Sequence, residues 1–204
     1  MEWGMVVAFW GVSMLFIMSP GADWSYAISA GIHKRVLPSV TGLLCGHVLA
    51  TLIVAAGLGL VLAQHPQALM ALSLLGAAYL AWMGWQMFRQ PATPSAGEQV
   101  DDTHWGTWCW KGLCVSGLNP KVLLLFLALL PQFIRPNQDS SITVQILALG
   151  LMHIISCAAV YFAVGFGSQA VLSARPKAAW VVGKVSGVMM VGIALIIAVE
   201  QLSH

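Results

Sequence analysis

The sequence predicts an all-α integral membrane protein with six transmembrane helices. They form two inverted three-helix repeats, with prolines interrupting helices one and four. Three observations lead there: a composition too apolar for water, six apolar runs long enough to span a bilayer, and a proline break at corresponding places in the two halves. Apolar residues make up 59% of the 204 positions and charged residues 8%. A soluble domain carries about 45–50% apolar and about 25% charged residues, so lipid must be the solvent for most of this chain. The net charge of +2 is too small and too scattered for a nucleic-acid footprint.

The apolar runs lie at about Gly4–Ile32, Leu37–Ala63, Ala68–Phe88, Trp110–Phe133, Thr143–Leu172 and Ala178–Val199. Each supplies the roughly 20 residues that a spanning helix needs. Open sheets are excluded from hydrocarbon, and no ten-residue alternation of a barrel is present. The first and fifth runs exceed a straight span and must tilt, kink or emerge. Met5–Met18 resembles a signal peptide in apolarity, but Glu2 and the lack of a basic flank predict a retained helix. The whole chain, 1–204, reads as one transmembrane domain: repeat one at 1–88, a polar linker at 89–106, repeat two at 107–204.

Six spans place both termini on one side. Loops one, three and five and their flanks carry Lys34, Arg35, Arg89, Lys111, Arg175, Lys177 and Lys184, whereas the opposite side carries Arg135. The positive-inside rule therefore predicts cytoplasmic odd loops and external termini. Trp85, Trp108, Trp110 and Trp180 sit beside the basic residues, as an interfacial aromatic belt would. Cys45, Cys109, Cys114 and Cys157 form no CxxC pair and read as buried, unpaired thiols.

The repeat is read from layout rather than from identity between the halves. Ser19-Pro20-Gly21 interrupts helix one and Leu118-Asn119-Pro120 interrupts helix four, and Arg35 and Arg135 each lie 15 residues beyond the proline. Three spans per half, an odd number, make the second half inverted, a recurring transporter layout. Proline lacks an N–H and clashes with the carbonyl four residues back. Pro20 is thus expected to free the Phe16 carbonyl and Pro120 the Ser116 carbonyl. Ser19 and Asn119 are good N-cap residues, and a cap followed by proline marks a new helix. The start of such a half-helix, with about half a positive charge and free N–H groups, suits a carboxylate. The alternative is a pair of simple kinks.

Ionisable groups inside the apolar runs cost roughly 2.5–3.5 kcal/mol each and mark function by default. Asp23 and Lys121 follow the two prolines closely, and His47 and His153 each lie ten residues into helices two and five. Ten residues rise about 15 Å, half of a roughly 30 Å core, so both histidines belong near the midplane. Asp23 reads as a substrate-ammonium or proton site, or as a carboxylate satisfied by the helix start. Lys121 reads as a site residue, or as a structural partner of Asp23. The histidines read as hydrogen-bonded core residues, or as proton carriers with a pKa near 6.5. Gly42/Gly46 and Gly183/Gly187 form GxxxG pairs that predict close packing within the chain. Asp101, Asp102 and His104 match no metal-ligand spacing and read as solvated linker.

Three segments carry a family resemblance: Ser19-Pro20-Gly21-Ala22-Asp23, then Leu75-Gly76-Ala77-Ala78-Tyr79-Leu80-Ala81-Trp82-Met83-Gly84-Trp85, then Gly117-Leu118-Asn119-Pro120-Lys121 running on to Leu130-Pro131-Gln132-Phe133. In order and spacing they resemble the lysine exporter / homoserine–threonine resistance (LysE/RhtB) translocator family over nearly the whole chain. The family pattern after the first break is usually Pro-Gly-Pro followed by Asn or Asp. Here Ala22 stands in place of the second proline, while Asp23 keeps the polar position.

The resemblance implies export of amino acids or related small metabolites from the bacterial cytoplasm without ATP, and hence an inner-membrane location. Absence of a GxxxxGK[ST] loop agrees with a secondary transporter. The expectation is therefore an exporter coupled to inward proton movement. Its substrate carboxylate sits at Ser19, Pro20, Gly21, Asn119, Pro120 and Lys121, its ammonium faces Asp23, and Asp23, His47 and His153 are the proton-coupling candidates. The alternatives are a divalent metal exporter using Asp23, His47 and His153, and an intramembrane enzyme. The sequence lacks HExxH, CxxC and GxSxG, so no enzyme, cofactor or resident metal is expected. The expected partners are a small-molecule substrate and lipid, with self-association left open.

Overall fold

The computed structural model describes residues 3–64, 66–90, 104–135, 140–168 and 176–203. Among them the chain is helical and contains no strand: α1 (Trp3–Met18), α2 (Ala22–Ile32), α3 (Val36–Gln64), α4 (Pro66–Arg89), α5 (Trp105–Gly117), α6 (Pro120–Leu124), α7 (Ile142–Phe166) and α8 (Pro176–Ser203). A π-helical turn, Leu125–Leu129, and a 3-10 turn, Leu130–Phe133, continue α6. Most of the linker expected at 89–106, including Asp101 and Asp102, and the expected end of the fifth run at Leu172 lie outside the described residues.

Val36–Gly57 and Ile142–Phe166 are each long and apolar enough to cross a membrane, and the count reaches four if each bent pair is one span. The bent pairs are α1 with α2, at 57°, and α5 with the segment from Lys121 to Phe133, at 55°. Large apolar side chains cover the outside of the long helices, among them Leu52, Ile53, Leu151 and Ile155, each more than half exposed. That surface is what lipid requires and water does not tolerate at this extent.

The two breaks are built differently. At the second, the chain follows the expected chemistry: Asn119 is the N-cap, its side-chain oxygen accepts from Lys121 N at 3.0 Å, and Pro120 opens α6. At the first, the cap is Gly21 rather than Ser19, with an extended backbone and no side-chain cap. Pro20 disfavours helical geometry at the residue before it, so the chain runs non-helical through Ser19, Pro20 and Gly21. Ser25 N then closes the first bond onto the Gly21 carbonyl at 2.9 Å. The Ser116 carbonyl is not freed by Pro120: it accepts from Asn119 N at 3.1 Å.

Glycines set the helix spacing. A Cβ added at Gly42 would strike the Cys109 carbonyl oxygen, and one at Gly46 would lie 2.7 Å from Gly117 N. From the facing helix, a Cβ at Gly112 would lie 2.5 Å from the Ser39 carbonyl oxygen. Hence α3 and α5 touch backbone to backbone. Gly84 and Gly187 do the same for α4 and α8. Both GxxxG motifs are therefore used inside the chain at Gly42, Gly46 and Gly187. α2 turns into α3 through Lys34, whose φ of 58° lies in the left-handed region, and Arg35 N reaches back to the Ala30 carbonyl at 2.7 Å.

The core has two parts. One gathers Phe9, Phe16, Val122, Leu125, Phe126 and Leu149. The other gathers Ile17, Ile28, Leu43, Trp108, Cys157 and Tyr161. Trp108 corrects the expected aromatic belt: it is fully buried, its carbonyl accepting from Tyr26 Oη at 2.6 Å, while Trp85, Trp110 and Trp180 are exposed. Arg89 lies over the Trp85 ring and Lys184 over the Trp180 ring. The cysteines are all free, yet of the four only Cys157 is buried and Cys45 is exposed. Cys45 lies on the outer face of α3, away from the seam formed by Gly42 and Gly46.

Candidate functional site

The two breaks face each other. Lys121, one residue into α6, sends its ammonium to the Ser19 carbonyl at 2.9 Å, so the second break reaches directly into the first. A Cβ on Gly21 would lie 3.9 Å from the same ammonium. Asp23, in the first turn of α2, is 4% exposed. Its Oδ2 accepts from Asn119 Nδ2 at 3.4 Å and from Tyr161 Oη at 3.1 Å. Its Oδ1 is buried and has no partner. Lys121 is thus held by a backbone carbonyl rather than by the Asp23 carboxylate.

His47 from α3 and His153 from α7 come together with ring centroids 5.1 Å apart. Both are buried, and both ring nitrogens of His47 lack a partner. His153 Nδ1 lies 2.6 Å from Ser13 Oγ of α1, and its Nε2 lies 3.4 Å from Cys157 Sγ. Phe126 meets the His153 ring edge-on at 5.4 Å, and Tyr161 stacks on His47 at 6.0 Å.

A cavity of about 10 Å³ joins these groups. Its polar lining is Asp23, His47, Lys121, His153 and Tyr161, and its apolar lining is Phe16, Ile17, Val122 and Leu125. Phe16, Val122 and Leu125 belong to one half of the core, and Ile17 and Tyr161 to the other. The site therefore lies where the two parts of the core meet. That volume suits roughly one water molecule, far below the roughly 300 Å³ at which small-molecule pockets begin.

The site residues expected from sequence are distributed as follows. Asp23, Lys121, His47 and His153 line the cavity. Ser19 contributes its carbonyl and Asn119 its amide. Pro20 and Pro120 shape the breaks, and Gly21 is the cap of α2 beside the Lys121 ammonium. The first-turn donors of α6 are already engaged, Lys121 N by Asn119 Oδ1 and Val122 N and Leu123 N by the Asn119 carbonyl. That helix start therefore offers a ligand its lysine rather than its backbone. Of the residues weighed as metal ligands, His47 and His153 converge with Cys157 rather than with Asp23.

Tyr161 and Ser13 escaped the sequence reading. Tyr161 had a signal: His153, Cys157 and Tyr161 recur every four residues on α7, a polar stripe along one helix face. Ser13 had none, since a single serine in an apolar helix is ordinary.

The chain resembles known membrane proteins. It is 28% identical over 196 residues to an uncharacterized membrane protein of Vibrio cholerae, covering 93% of this chain and 94% of that one. It is 30% identical to the homoserine/homoserine lactone efflux protein of Salmonella typhimurium, covering 70% of each. It is 27% identical to the threonine efflux protein of Escherichia coli K12, covering 74% of this chain and 79% of the relative. No solved structure matches the chain. A sequence model described as LysE type translocator matches residues 14–201, nearly the whole chain. With that match, and with relatives named for amino-acid efflux, the protein belongs to the LysE type translocator family.

Proposed function

We propose that this translocator exports amino acids or closely related metabolites from the bacterial cytoplasm across the inner membrane, as a secondary transporter driven by inward proton movement. One observation carries the reading: Asp23, whose buried carboxylate oxygen Oδ1 has no partner, lines the same small cavity as Lys121. An α-amino acid carries the complementary pair. Its ammonium satisfies Asp23 Oδ1, while its carboxylate meets Lys121 and the start of α2, where the helix dipole adds its positive end. The names of relatives that export homoserine and threonine support that substrate class.

Proton coupling draws on Asp23, His47 and His153. Carboxylate and imidazoles line one cavity, and the two rings touch. A proton arriving from outside enters this group as the substrate ammonium leaves Asp23, so the carboxylate is never left charged and empty in a dry site. In this proposal six spans form two inverted repeats, 1–88 and 107–204, that rock about the cavity where their two breaks meet.

Everted membrane vesicles test the function. Vesicles containing the protein are expected to accumulate labelled threonine or homoserine when their lumen is acidic, and to lose it when the gradient is dissipated. Accumulation no greater than in control vesicles overturns the reading. Accumulation indifferent to the gradient removes the proton coupling alone. The topology is tested separately with Ser203→Cys in a background free of native cysteines. An impermeant thiol reagent applied to intact cells is expected to label it, and failure where an external control labels argues against external termini.

A further inference from the structure

A second set of donors stands at one wall of this cavity. His47, His153 and Cys157 are all buried, and each places one donor atom within 4.8 Å of the others. Both nitrogens of His47 are unpartnered although the residue is 1% exposed. A polar group buried without a bond is destabilising, so the site holds an unmet demand for a ligand. His153 is already oriented. When Nδ1–H donates to Ser13 Oγ, 2.6 Å away, the Nε2 lone pair points towards Cys157 Sγ at 3.4 Å. Metal-binding imidazoles are held this way, one nitrogen tied to an acceptor and the other presented to the ion.

We infer that His47, His153 and Cys157 form a binding site for a borderline-soft divalent cation, with Zn²⁺ the best match, at the wall of the transport cavity. Two imidazoles and a thiolate are the donor set that such an ion selects, and three protein ligands leave a fourth tetrahedral position open. On binding, the Cys157 thiol gives its proton to solvent and its sulfur bonds the metal as thiolate. Two of the three ligands also line the cavity. A bound ion therefore pins α3 to α7 across that wall and blocks passage, acting as an inhibitor rather than as cargo. Cys157 lies outside the cavity lining and reaches it through His153.

Binding does not depend on the amino-acid reading; inhibition does. The purified protein in detergent is titrated with Co²⁺ as a spectroscopic probe and then with Zn²⁺. One Co²⁺ per chain with a thiolate charge-transfer band is expected, displaced by Zn²⁺. Cys157→Ser is expected to lose the band, and Ser13→Ala to weaken binding about 10–100-fold. In everted vesicles, Zn²⁺ is expected to stop amino-acid uptake by the wild type but to leave uptake by Cys157→Ser at that variant's own metal-free level. The inference is overturned by no binding, by binding without the thiolate band, or by binding unchanged in Cys157→Ser. If the metal results hold and no vesicle accumulates amino acid, the site stands and the export reading falls.

Discussion

Asp23→Asn is expected to lower export by roughly 30-fold or more while the protein still inserts and folds. The substitution keeps the shape of the side chain and an oxygen able to accept from Asn119 and Tyr161, so the existing bonds survive. What it removes is the negative charge on the partnerless oxygen. Truncating one member of a desolvated, hydrogen-bonded charge pair costs about 2–5 kcal/mol, and each 1.36 kcal/mol is about tenfold. The loss therefore falls on substrate handling rather than on stability. Export in everted vesicles, set against membrane abundance and melting temperature in detergent, checks it. Wild-type export by Asp23→Asn would sink the role given to the carboxylate, and a collapse of abundance would make it structural.

The second large effect is on folding. Gly42→Ala is expected to destabilise the protein, whereas Gly11→Ala is expected to stabilise it. Alanine beats glycine in a helix by about 1 kcal/mol, and at Gly11 nothing lies within 4 Å of the added carbon, so that gain is kept. At Gly42 the added carbon meets the Cys109 carbonyl oxygen, a backbone atom that has no rotamer to escape into. The whole of α5 must back away from α3, at about 1–3 kcal/mol for overpacking. Gly46 and Gly112 share the seam and cannot take up the shift. In a chain of this size each kcal/mol moves the midpoint by about 2–4 °C. Thermal unfolding of both variants in detergent decides it, and a Gly42→Ala midpoint at or above that of Gly11→Ala would refute the backbone contact.

Much of this was legible in the sequence because membrane chains expose their logic in one dimension. Composition announced lipid, apolar length announced the helices, and a charged residue in an apolar run was conspicuous. Asp23, Lys121, His47 and His153, which line one cavity, were singled out that way. Ser19 was misread as a cap because cap propensity is local, whereas the break geometry depends on the restriction that Pro20 places on its neighbour and on Gly21 taking the extended conformation. Trp108 was misread because tryptophan beside a basic residue looks interfacial from sequence. Only the packing of Tyr26 and His33 against its ring reveals it as core. The role of Cys157 was only half legible: His153 stands one helical turn before it on α7, but His47 comes from α3, and nothing in the sequence brings that helix alongside.

The stretch behind the cavity has a mechanical consequence. Within Pro120–Phe133 the backbone passes from α to π to 3-10 winding, and Leu125 and Phe126 of the π turn press against the cavity and the His153 ring. A π turn is wound more loosely than an α turn and a 3-10 turn more tightly, and the latter rises about 0.5 Å more per residue. Rewinding the four residues Leu130–Phe133 as α-helix would shorten them by roughly 2 Å, with one backbone bond exchanged for another. The wall of the site can thus work as a variable-length strut, admitting a molecule larger than water by trading pitch instead of swinging as a lever.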